Sequence, residues 1–127
     1  MKFSEKKRIA LVLSGGGIKA AAFHVGVCLA LREKGFKFAG GRTPEEGLKF
    51  EGQSLTCTIY GGSSAGSVVS SFLAAGHSID AIIDAFTRGS GLGALTRFRS
   101  EGPRLKPLTY RDIFSLNVDA GLAGRLL

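Results

Sequence analysis

The chain has 127 residues, a formal net charge of +7 and 44% hydrophobic residues, with a sequence pI of about 9.9 and a mean hydropathy of +0.17. That is one domain's worth of chain at most, apolar enough to bury a core, which argues against extended disorder. The basic balance favours anionic partners such as nucleic acid, acidic lipid or phosphorylated substrates, although a merely basic soluble surface has the same charge.

The start is charged, and the apolar run Ile9 to Leu13 that follows is too short for a secretory signal. Arg8 to Leu13 reads instead as a short buried strand. Ser14-Gly15-Gly16-Gly17 is then a tight loop, and Ile18 to Lys34 reads as a helix, apolar on most sides (Ala21, Ala22, Val25, Cys28, Leu29) and so expected to pack deeply. Arg32 and Lys34 suit its last turn and Gly35 its stop. Its longest apolar stretch, Ala20 to Leu31, is interrupted by His24 and too short to span a bilayer. Cys28 and Cys57 lack metal-ligand spacing and read as buried free thiols, which fits a reducing, cytoplasmic setting.

Residues 36 to 54 carry the turn signals Gly40-Gly41, Thr43-Pro44 and Gly52, with one short strand around Phe36 to Phe38. Leu55 to Tyr60, with Thr56, Thr58 and Ile59 β-branched, reads as the second clear strand. After Ser64 a helix is expected with Ala65, Val68, Val69, Phe72 and Leu73 on one face, stopped by Gly76. Ser78 then caps a further helix with Ile79, Ile82, Ile83 and Phe86 aligned and Asp80 in its first turn. Residues 88 to 127 form a basic, loop-rich tail with a short helix around Tyr110 to Leu116. Strand, loop and helix occurring twice predict an α/β fold with a mainly parallel sheet, incomplete at two clear strands.

Two glycine-rich bends carry the chemistry. The Gly15-Gly16-Gly17 loop opens a helix, where unpaired amides and the helix dipole suit an anionic oxygen, either a phosphate or the oxyanion of acyl transfer. Gly15-x-Gly17-x-x-Ala20 fits the loose dinucleotide fingerprint, but no acidic residue stands near Phe36 to Gly41 to hold a ribose, and no Gly-Lys-Ser/Thr follows for a P-loop. The second bend is Gly62-Ser63-Ser64-Ala65-Gly66, between a strand and a helix. A serine there is presented at a sharp turn, and glycines two before and two after it prevent a clash. Ser64 has both, Ser63 does not. A hydroxyl needs a base. His77 lies about 18 Å along the helix that Ser64 starts, His24 reads as a packed core histidine, and no histidine follows Asp80, Asp84, Asp112 or Asp119, so a Ser–Asp–His triad in hydrolase order is absent.

The stretches Leu11-Val-Leu-Ser-Gly-Gly-Gly-Ile-Lys19 and Ile59-Tyr-Gly-Gly-Ser-Ser-Ala-Gly66, in this order and without a triad histidine, resemble the patatin-like phospholipases. The similarity covers roughly residues 8 to 87. It implies a three-layer α/β/α fold and a Ser–Asp dyad that hydrolyses lipid acyl esters without a cofactor or metal. Ser64 would be the nucleophile, the Gly15, Gly16 and Gly17 amides the oxyanion hole, Gly62 and Gly66 the supports of the bend, and Lys19 the basic residue that follows the family's glycines. Ala20 departs from the family's usual glycine. The family's base lies in a later Asp-Gly-Gly or Asp-Gly-Ala, for which Asp119-Ala120-Gly121 is a poor and early substitute. The resemblance therefore implies residues 1–127 to be the N-terminal part of one such domain, with nucleophile and oxyanion hole but no base, and little turnover alone. Lipid or acyl-ester substrates and a peripheral contact with anionic membrane are the partners implied, with no nucleic acid. A phosphate- or nucleotide-binding module and a non-catalytic membrane-docking fragment are the other readings.

Overall fold

A computed structural model describes residues 8–41, 52–89 and 105–109, together with Lys2, Glu5, Lys6, Glu46, Lys49 and Phe50. The elements run β1 (Ile9–Leu13), α1 (Gly17–Glu33), β2 (Lys37–Phe38), β3 (Thr56–Gly62), α2 (Ala65–Ala74) and α3 (Ile79–Gly89). The three strands form one sheet in the order β1-β3-β2, with both pairs parallel. This is the α/β fold that the repeated strand–loop–helix pattern predicts, built on a small sheet packed against helices. The expected helix around Tyr110 to Leu116, most of the basic tail and Asp119 lie outside the described residues.

Register decides where the site falls. Leu11 pairs with Tyr60, Val12 with Gly61 and Leu13 with Gly62. The two strands therefore end side by side, and the loops that follow them leave the same edge of the sheet. The carboxyl ends of parallel strands are where open α/β sheets place their ligands. β3 runs two residues further than expected, because Gly61 and Gly62 continue the ladder, and it begins later because Leu55 turns with a φ of 54°.

The core gathers Leu13 from β1, Ala21, Val25 and Cys28 from α1, Ala65, Val69 and Leu73 from α2, and Ile79 and Ile82 from α3. α2 lies on β1 and β3, and α1 lies against α2 and α3. Ser78 caps α3 as its sequence suggests, its hydroxyl accepting the Ala81 amide at 3.2 Å. Arg32 near the end of α1 pairs with Asp80 of α3 at 2.7 Å. The 105–109 segment crosses the end of α3, where the Leu108 amide donates to the Ala85 carbonyl at 2.9 Å and Arg88 donates to that of Leu105 at 2.6 Å.

The expectation that α1 packs deeply on most sides is corrected. Ala21, His24, Val25 and Cys28 are buried, but Ala22 is exposed, Phe23 is 69% exposed and Ile18 53% exposed. The helix is apolar nearly all round, so its sequence does not single out a buried face, and among the described residues the face toward α2 and α3 is the one covered. On the sheet, Val12 lies beside Gly61 on the face away from Leu11 and Leu13 and is 75% exposed. None of the described helices is long and apolar enough to cross a membrane.

Cys28 and Cys57 are buried free thiols, as expected. Burial, reinforced by the neighbouring Cys57, pushes the Cys28 thiol from 9.0 up to about 11. Burial also raises Cys57 and, above its ordinary range, Tyr60. A group whose folded pKa lies above its unfolded one stabilises the fold below the unfolded value, and that contribution is lost as pH rises through the folded one. The urea midpoint should therefore stay level to about pH 9 and fall as pH climbs toward 11. Cys28→Ala should make the fall shallower. A midpoint that rises with alkali would contradict this burial.

Candidate active site

The two bends expected to carry chemistry touch one another. A Cβ built on Gly15 would sit 3.3 Å from the Ser63 hydroxyl oxygen and 3.3 Å from the Ser64 Cβ. The Ser63 amide donates to the Leu13 carbonyl at 3.1 Å, which carries the β1–β3 ladder one step beyond the strands and locks the bends together. Gly66 makes the approach possible. A Cβ there would collide with the carbonyl group of Leu13 and lie 2.6 Å from the Ser14 oxygen. Gly62 has the same role across the bend, where a Cβ would meet the Gly66 carbonyl and lie 2.6 Å from the Ser67 nitrogen.

Ser64 sits at the turn itself, with φ 49° and ψ −122°. Those are the angles of the first central residue of a type II′ turn, a position dominated by glycine. A serine held there stores about 1–3 kcal/mol of backbone strain. Hydrogen bonds hold both sides of it. The Ser64 carbonyl accepts the Ser67 hydroxyl at 2.6 Å as well as the Ser67 and Val68 amides. The buried Ser70 hydroxyl donates to the Gly61 carbonyl at 2.8 Å, tying α2 to the end of β3. The Ser64 side chain is exposed.

The glycine loop has the complementary geometry. Gly16 and Gly17 adopt φ values of 140° and 67°, open to glycine and strained for other residues. Gly16 is the N-cap of α1, so the cap supplies no side-chain acceptor, and no acidic residue stands in the first turn. The amides of Gly15, Gly16 and Gly17 have no hydrogen-bond partner among the described residues. These donors open a helix and suit an anionic oxygen, and Gly15 among them borders the exposed Ser64 on its strained turn. Lys19 lies in the first turn of α1 with an exposed side chain.

The histidines stand where the sequence reading put them. His24 is buried, with Nε2 2.7 Å from the Ser14 carbonyl oxygen. His77 packs edge-on against the Phe72 ring, 5.7 Å between centroids, at the far end of α2. No hydrogen bond joins the Ser64 hydroxyl to a base among the described residues. Asp80 is held by Arg32, and Asp84 by Arg88 at 2.7 Å. Sequence reasoning missed Ser67 and Ser70. The available signal was a hydroxyl at residue 70, within the apolar face formed by Val69 and Leu73.

Two substitutions test this geometry. Gly66→Ala should cost about 3 kcal/mol or more, because its methyl meets backbone atoms that cannot move independently of the sheet; denaturant melts give the value, and a neutral result would mean the bends are not in contact. Ser64→Gly should stabilise the fold by about 1 kcal/mol, the relief of strain exceeding the entropic cost of glycine. Ser64→Ala keeps the strain and should give no such gain, so equal melting of the two variants would remove the strained turn.

Comparison with curated proteins and with solved structures finds no match. A family model described as patatin-like phospholipase matches residues 11–90, more than half of the chain and a span that holds both glycine bends. With those bends joined on one edge of a parallel sheet, the chain belongs to the patatin-like phospholipase family.

Proposed function

We propose that the protein is a serine-dependent lipid acyl hydrolase, with Ser64 as nucleophile and the Gly15, Gly16 and Gly17 amides as oxyanion hole. The observation that carries this reading is a glycine loop whose three amides have no partner among the described residues and whose Gly15 borders an exposed serine on a glycine-like turn. The Ser64 oxygen would bond to the ester carbonyl carbon, and the carbonyl oxygen would take the negative charge and accept hydrogen bonds from the loop. Collapse would break the ester C–O bond, leave an acyl-enzyme and release the alcohol; water would then free the acid. The serine proton must pass to a base. With Asp80 and Asp84 held by arginines and His24 engaged at Ser14, that base comes from outside the described residues.

The substrate class follows from family and surroundings. Family membership points to lipid esters. Ile18 and Phe23 expose apolar side chains on the helix that the glycine loop opens, as a site receiving acyl chains would require, and exposed Lys19 beside them suits an anionic headgroup or membrane surface. A phosphate-binding loop would use the same amides, but it gives no reason for a strained serine beside them.

A fluorophosphonate probe is expected to label Ser64, found by peptide mass mapping, and Ser64→Ala is expected to abolish labelling. Gly17→Asp, which forces a side chain onto a left-handed backbone position and adds a negative charge to the loop, should slow labelling by about a hundredfold or more. Labelling that survives Ser64→Ala would reject the assignment.

A further inference from the structure

His24 is buried, 6% exposed, and its Nε2 reaches back from α1 to the Ser14 carbonyl, 2.7 Å away. A carbonyl oxygen only accepts, so the ring must carry its proton on Nε2. The same Ser14 oxygen lies 2.6 Å from where a Cβ of Gly66 would stand, which fixes its direction as inward, toward the buried start of α2. The described chain contains no cis peptide. In a trans peptide the C=O and the following N–H point to opposite sides of the same rigid plane. Holding the Ser14 oxygen inward therefore turns the Gly15 N–H outward, where it has no partner among the described residues. Three consecutive glycines have no side chains with which to fix that plane themselves.

We infer that His24 is a positioning residue for the glycine loop: its Nε2–H anchors the Ser14 carbonyl and thereby aims the Gly15 N–H into the site. The inference rests on the reading of the loop as an oxyanion hole, and it gives a buried histidine a role other than that of base. Donation by the ring, not its basicity, is what the loop uses. A glutamine, which keeps a donor at similar reach, should preserve the arrangement, and a leucine, which keeps bulk alone, should not.

The test uses the 127-residue chain labelled with ¹⁵N. In the wild type, His24 should be in the Nε2–H form with a slowly exchanging ring proton. In His24→Leu, the dipolar coupling of the Gly15 N–H should change and fluorophosphonate labelling of Ser64 should slow by about a hundredfold. His24→Gln should return the coupling toward wild type and restore most of the rate. A ring proton on Nδ1, or a folded His24→Leu variant with the wild-type Gly15 coupling, would overturn the inference. If His24→Leu fails to fold, the wild-type tautomer and the glutamine variant still decide. If the wild type is not labelled, whether for want of a base or because the hydrolase reading fails, the Gly15 coupling in the wild type, His24→Leu and His24→Gln decides the role of His24.

Discussion

The contact on which the rest depends is between two pieces of backbone. Gly66, in the first turn of α2, lies against the carbonyls of Leu13 and Ser14 at the end of β1. No other residue could stand there without pushing α2 off the sheet. Because Gly66 has no side chain, the Ser63 amide reaches the Leu13 carbonyl and the two strand-to-helix bends become one rigid unit. The parallel pairing of β1 with β3 brings the bends to the same edge, and this close approach leaves little room for a side chain between Gly15 and Ser64.

That unit is arranged against the usual preferences of its residues. A serine occupies a turn position that favours glycine, three amides have no partner among the described residues, and a helix begins without a side-chain cap. Each is unfavourable for folding alone, and they cluster within a few residues. Strained and unsatisfied groups persist where the surrounding structure over-determines them and where function uses them. The surroundings here are the buried core of Leu13, Val69 and Leu73 beneath the bends, and the hydroxyls of Ser67 and Ser70, which bind the backbone on both sides of Ser64.

Most of this was legible in the sequence, for reasons that can be stated residue by residue. The apolar run Ile9 to Leu13, the β-branched run through Thr56, Thr58 and Ile59, and the stops at Gly35 and Gly76 mark elements by local chemistry, and the structure has them, both glycines with positive φ. Glycines two before and two after Ser64 have steric reasons that pattern alone exposes. The buried face of α1 was not legible, because a helix apolar all round does not say which side is covered; Phe23 and Ile18 came out exposed. The end of β3 was missed because Gly61 and Gly62 look like loop and pair like strand, a choice made by the neighbouring Val12 and Leu13. The contacts of His24 with Ser14 and of Ser70 with Gly61 join residues brought together only by the fold.

In the proposed reaction these two bends act together on one oxygen. The most direct measurement is a crystal structure of the protein after reaction with an alkyl phosphonate. Phosphorus is expected on the Ser64 oxygen, with the phosphonyl oxygen accepting hydrogen bonds from amides of the Gly15 to Gly17 loop. An adduct on another residue, or a phosphonyl oxygen turned away from that loop, would contradict that reaction.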